Sequence, residues 1–205
     1  EQDYEKAFEW FERSAKQKNK FAQFSLANLY YYGSGIEKDL SQAFLWYQRS
    51  SSQGQPYAAY SIAQMYRYGE YVTKDNDTAQ RYYKQALSGF LKIESDDMAN
   101  DDLFYKLGQM FNLGLGTDSD VTKAIEYFRR SAEMNNKNGL FEYGKALLTG
   151  EHIPQDTDSA VKLLEKAVKL KNSNAKRFLA LEYISGEHLE QDFEKGIALL
   201  TECAD

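Results

Sequence analysis

The sequence is poor in the residues that carry most protein chemistry. It has one cysteine, two histidines and two prolines among 205 residues. With Cys203 alone no intrachain disulfide can form, which fits a reducing compartment and favours the cytoplasm. Two prolines leave almost the whole chain free to be helical. Lysines and arginines number 25 against 31 acids, for a formal net charge of −6. A surface of that sign repels nucleic acid and anionic lipid, so neither is an expected partner. No apolar run reaches the roughly 18–20 residues of a membrane span, so no membrane insertion is expected. No signal peptide is visible, although a start in mid-pattern at Glu1 leaves a removed leader open. No nucleophile–base pair or metal-ligand cluster stands out. Neither enzymatic activity nor a bound cofactor or metal is therefore expected.

What the chain does have is a repeat. A glycine is followed six residues on by an aspartate and four residues later by an alanine, as Gly33/Asp39/Ala43. The skeleton returns at Gly69/Asp75/Ala79, Gly114/Asp120/Ala124 and Gly150/Asp156/Ala160, then at Gly186/Asp192 with Gly196 in the alanine slot. A headless copy opens the chain at Asp3/Ala7. The aspartates are spaced 36, 36, 45, 36 and 36 residues apart. A fixed period of that length is the mark of a solenoid of stacked supersecondary units.

Each copy reads as two helices. The first, helix A, carries small or apolar residues at offsets of 0, 4, 5, 7 and 8, such as Ala22, Leu26, Ala27, Leu29 and Tyr30, which make one face. Glu182 is the one polar intruder on that face, attributed to the approaching end of the array. The glycines Gly33, Gly69, Gly114, Gly150 and Gly186 are expected to turn the chain through positive φ. The aspartates Asp39, Asp75, Asp120, Asp156 and Asp192 are expected to cap helix B by accepting the free N–H groups of its first turn. A hydrophobe three residues after each glycine (Ile36, Val72, Thr117, Ile153, Leu189) should fold the loop onto the core, Thr117 being the weak one. Helix B repeats alanine, two large residues and a small one, as Ala43/Trp46/Tyr47/Ser50, which assigns Trp46 and its counterpart Trp10 to the core. The boundaries expected are a trailing helix over 1–20, then repeats over 21–55, 56–96, 97–137, 138–172 and 173–205, with an acidic insertion near 90–102 read as a longer helix B and loop.

The run Tyr30-x-x-Gly33-x-Gly35-Ile36-x-x-Asp39-x-x-x-Ala43-x-x-Trp46-Tyr47, followed by Ser50 and Gly54, resembles the Sel1-like repeat, a relative of the tetratricopeptide repeat. The likeness spans essentially the whole chain. It implies an all-α, right-handed superhelix of antiparallel helix pairs with helix A lining the concave side. It also implies a non-enzymatic scaffold or adaptor that holds a protein or peptide. The absence of a polar capping helix at either end suggests a segment of a longer protein. On that alternative the array positions the activity of a larger enzyme or mobilisation protein, and its partners include other domains of its own chain. A glycan-binding solenoid is a lesser alternative, suggested by the 16 tyrosines and requiring Tyr31, Tyr60, Tyr68 and Tyr105 to be exposed.

The candidate contact residues lie off the core face of helix A. They form the triplets Phe24/Asn28/Tyr31, Tyr60/Gln64/Arg67, Tyr105/Gln109/Asn112, Phe141/Lys145/Leu148 and Arg177/Leu181/Ile184. Spacing of i, i+4, i+7 puts each triplet on one line. Aromatics, amides and arginine are the mix of a recognition surface, while the aromatics would serve equally well as packing between neighbouring helices A. His152 and His188 both follow Gly-Glu, 36 residues apart; repeat similarity accounts for that without a metal. Gly139-x-x-x-x-Gly144-Lys145 imitates a phosphate-binding loop but falls inside a helix A, with its glycines in small packing slots. Cys203 occupies a small slot of the last helix B with no histidine to activate it. Asn76-Asp77-Thr78 matches a glycosylation acceptor in form only.

Overall fold

The computed structural model describes residues 3–201. Every regular element among them is an α-helix: α1 (Tyr4–Lys16), α2 (Lys20–Tyr32), α3 (Leu40–Ser52), α4 (Pro56–Tyr68), α5 (Asn76–Ser95), α6 (Asp101–Asn112), α7 (Val121–Glu133), α8 (Lys137–Thr149), α9 (Thr157–Lys169), α10 (Ser173–Ser185) and α11 (Phe193–Thr201). Even-numbered helices are helices A and odd-numbered ones are helices B. Most are 13 residues long, whereas α5 runs for 20. The fold is all-α, built of antiparallel helix pairs. The helices gather into two compact units, Glu1–Asp97 with Leu115–Thr117, and Met98–Gly114 with Asp118–Asp205.

The Gly-to-Asp spacing has a simple local cause. Helix α2 ends on Gly33, whose φ of +70° lets its N–H reach the carbonyl of Leu29. Six residues later Asp39 has two tasks. Its carboxylate accepts from the N–H groups of Ser41 and Gln42, and its own N–H donates to the carbonyl of Tyr30 at 2.9 Å. The same backbone bond recurs from Asp75 to Tyr66, Asp120 to Phe111, Asp156 to Leu147 and Asp192 to Tyr183, at 2.8 to 3.0 Å. Each of these aspartates also caps the helix that follows it. One residue more or fewer in the loop would break either the cap or this backbone tie. The hydrogen bonds hold the cap carboxyls of Asp39, Asp75 and Asp156 below their ordinary range.

A second ladder was not read from the sequence. Helices A are capped by Asn19, Gln55, Asn100, Asn136 and Asn172. These sit 36, 45, 36 and 36 residues apart, the same register as the aspartates. In the second unit the amides also tie repeats together. Asn136 donates to Asp101 at 3.0 Å, and Asn172 donates to the Lys137 carbonyl and to the Asn138 side chain at 2.9 and 3.0 Å. The small slot on helix B is polar for a reason too: Ser50 and Ser131 donate to the carbonyls of Lys20 and Asp101, pinning helix B to its own helix A.

Close approach explains the small slots on helix A. A Cβ on Gly108 would lie 2.5 Å from the Phe128 ring, and one on Gly139 would lie 2.5 Å from Ser131 Oγ. Gly139 and Gly144 are packing glycines inside α8, so the likeness to a phosphate-binding loop is one of letters only.

The structure corrects several sequence expectations. Trp10 is 68% exposed while Trp46 is buried. Trp46 sits between neighbouring helices, whereas α1 has α2 as its main packing partner. Leu200 is likewise more exposed than its buried counterparts Tyr47, Tyr83, Phe128 and Leu164. Helix α6 stops one residue early: Leu113 is its cap residue at φ −97°, and the positive φ is deferred to Gly114. In that loop Leu115 is the buried hydrophobe, two residues ahead of Thr117, so the weak anchor was a misaligned one. Cys203 lies outside the described residues.

Candidate functional site

The residues on the off-core line of helices A divide into those with interior work and those facing solvent. In the first unit Phe24 packs on Tyr47 and Tyr57, with ring centroids 5.9 Å away in each case. Asn28 is half-buried and accepts from Tyr47 Oη at 2.7 Å. Tyr31 donates to the Glu70 carboxylate, and burial together with that bond pushes its pKa up to about 12. Tyr60 is buried against Tyr83 and Phe90, which withdraws it from the surface. Gln64 and Arg67 remain half-exposed, and Arg67 lies over the ring of Tyr68, which is itself 62% exposed.

In the second unit Tyr105 packs on Phe128 and accepts from Gln109 Nε2 at 2.9 Å. Burial pushes its pKa up to about 12, with Glu142 nearby adding to the shift. Asn112 and Lys145 are exposed. Phe141 stacks edge-on against Phe178, and Lys145 reaches over that same ring. Leu148 is fully buried and Ile184 packs where a Gly196 Cβ would be, so the expected line breaks at both. Arg177 and Leu181 are exposed. Glu142 was not singled out from the sequence. It is half-buried on α8, and burial raises its pKa, partly offset by Lys145. Of the four tyrosines a glycan platform would use, Tyr60 is buried, Tyr31 and Tyr105 are half-buried in packing contacts, and Tyr68 faces solvent.

In each unit aromatic rings of helices A pack on neighbouring rings, and Arg67 and Lys145 each lie against a ring. Asn112, Lys145, Arg177 and Leu181 are the exposed members of the line, while Gln64 and Arg67 are half-exposed and Arg67 also hydrogen-bonds the buried Tyr83. No helix among the described residues is long and apolar enough to cross a membrane.

The two histidines do not converge. His152 is exposed at φ +66°. His188 instead meets Glu182 and Glu187; one donor atom from each lies within 4.8 Å of the others, the one such group of three or more potential ligands among the described residues. Glu182, the intruder on the core face, is therefore a buried residue with a partner rather than a loosened end of the array.

The Sel1 repeat family model matches six stretches, 1–19, 20–55, 56–89, 105–136, 138–172 and 173–205. The longest stretch it skips, 90–104, holds the end of α5, the loop after it and the start of α6. No curated protein matches the chain. Among solved structures, a Sel1 repeat protein from Oxalobacter formigenes is similar at 24% identity and a TM-score of 0.70, over 99% of this chain and 80% of that one. A putative Sel1 repeat protein from Klebsiella pneumoniae is similar at 18% identity and a TM-score of 0.56, over 96% and 91%. YrrB, a tetratricopeptide-repeat protein described as having an unusual peptide-binding site, is similar at 21% identity and a TM-score of 0.54, over 92% and 91%.

Proposed function

We propose, since the chain belongs to the Sel1 repeat family, that it is a non-enzymatic scaffold whose helices A take a protein or peptide segment on their exposed line. Repeats of this kind are in general protein-interaction modules. The finer reading rests on one observation: two cations of helices A lie against aromatic rings, Arg67 over Tyr68 and Lys145 over Phe178. In the first unit Gln64 lies one turn from the packed Tyr60 on α4, and Arg67 hydrogen-bonds Tyr83; in the second Asn112 shares α6 with the packed Tyr105, and Lys145 lies over Phe178. Interfaces gain from side chains held in place before binding, because less freedom is lost on association. The description of YrrB as a peptide binder supports the same reading by analogy of fold. Phe24, Tyr31, Tyr60, Tyr105 and Asn28 act in this view as support rather than as contacts.

The test is site-specific photocrosslinking in cells. A photoreactive phenylalanine at Gln64 or at Lys145 should capture a defined protein. The same probe on the exposed face of helix B, at Gln48 or Lys162, should not. Capture from helix B positions alone would refute the assignment to helix A.

A further inference from the structure

The geometry points to a zinc-class divalent-cation site formed by Glu182, Glu187 and His188. Helix α10 delivers Glu182 in its last turn. Gly186, at φ +69°, closes that turn with its N–H on the Glu182 carbonyl at 2.9 Å. The reversal brings the next two residues back over the helix end. There His188 Nδ1 lies 3.0 Å from Glu182 Oε2, and the Glu187 carboxylate completes a trio within 4.8 Å. Tetrahedral zinc with bonds of about 2.0–2.2 Å holds its donors about 3.4 Å apart. The His188–Glu182 pair is already near that separation. Glu187 is exposed and free to close the remainder, and water supplies the fourth position. One imidazole with two carboxylates is a borderline donor set that suits zinc over calcium or magnesium.

A second observation is the burial of Glu182. It is only 7% exposed, and it occupies the slot held by Leu29, Met65, Met110 and Ala146 in the other helices A. A carboxylate this deeply buried is costly unless it is compensated. Among the described residues His188 is the side chain that hydrogen-bonds it. A cation would compensate the carboxylate fully and would engage Glu187 as well. The chain also contains its own control. Gly150-Glu151-His152 repeats Gly186-Glu187-His188, yet Ala146 stands where Glu182 would be, and the exposed His152 belongs to no such donor group among the described residues. The expected stoichiometry is therefore one ion per chain, not two.

The experiment is a titration of the chelator-stripped full chain with Zn(II), read by calorimetry and by competition with a chromogenic chelator. One ion should bind per chain. His188→Ala and Glu187→Gln should each weaken binding roughly tenfold or more, since even losing a partner that merely orients a ligand costs about 10–100-fold. Glu187 is exposed, so its variant separates ligand loss from misfolding. His152→Ala and Glu151→Gln should leave the affinity unchanged, and zinc should raise the melting temperature of the wild type but not of His188→Ala. No saturable binding would overturn the site. So would weak binding that survives His188→Ala, or binding lost equally with His152→Ala; either would leave Glu182 and His188 as a hydrogen-bonded pair only.

Discussion

Asn172 offers the sharpest test of how the repeats hold together. Its side chain serves both sides of a repeat junction. Oδ1 accepts from the Ala175 N–H at 2.9 Å, capping α10. Nδ2 donates to the Lys137 carbonyl and to Asn138 Oδ1 at the start of α8. The residue is 4% exposed, so water cannot readily replace these bonds. Removing a cap costs about 1 kcal/mol. Stranding a buried acceptor costs about 1–3 kcal/mol more. Asn172→Ala should therefore destabilise by about 2–4 kcal/mol, whereas removing the exposed cap in Asp156→Ala should cost about 1 kcal/mol. Asn172→Asp keeps the cap but loses both donors and should fall between the two or below the alanine variant. Urea unfolding followed by circular dichroism at 222 nm, with equal slopes checked across variants, measures the difference. If Asn172→Ala and Asp156→Ala agree within about 0.5 kcal/mol, the amide is only a cap and the junction argument fails.

Three further outcomes follow from the packing and charge. Trp46→Ala should cost about 3–5 kcal/mol and Trp10→Ala under about 0.5 kcal/mol, measured in the same unfolding assay; equal losses would mean that α1 is covered in solution. Gly139→Ala should destabilise by about 1–3 kcal/mol despite alanine's better helix propensity, because its Cβ would meet Ser131 Oγ at 2.5 Å and the Ala132 backbone nitrogen at 2.9 Å; a higher melting temperature would show that the junction yields. Glu142→Gln should raise the melting temperature at pH 7 but not near pH 4. The half-buried carboxyl has its pKa raised on folding, so its stabilising contribution is present below the unfolded value and is lost as pH rises through the folded one. A pH-independent difference would trace the effect to something other than ionisation.

The period, the helix pairs, the glycine ends of most helices A and the aspartate starts of helices B were legible because they depend on local chemistry. A glycine that can take positive φ, an aspartate that can accept from a helix start and a 3.6-residue apolar spacing act within one or two turns. The asparagine ladder, at 19, 100, 136 and 172 with Gln55 in step, is equally local, but it lies outside the glycine–aspartate–alanine skeleton that marks the repeat. Its second function, bonding to the preceding repeat, depends on contacts some 35 residues away. Such contacts decided the rest. Trp10 and Trp46 share one motif position, yet packing neighbours leave one in solvent and bury the other. Tyr60 and Leu148 shared a predicted line with Gln64 and Lys145, yet adjoining elements covered the first two. His152 and His188 stand in the same three-residue word, and a single residue on the preceding helix, Ala146 or Glu182, separates a plain turn from a cluster of donors. Sequence alone determined which segments are helices and where they stop, since that is settled within a few residues. Tertiary structure decided which side chains remain to meet a partner, since exposure belongs to the neighbours as much as to the residue itself.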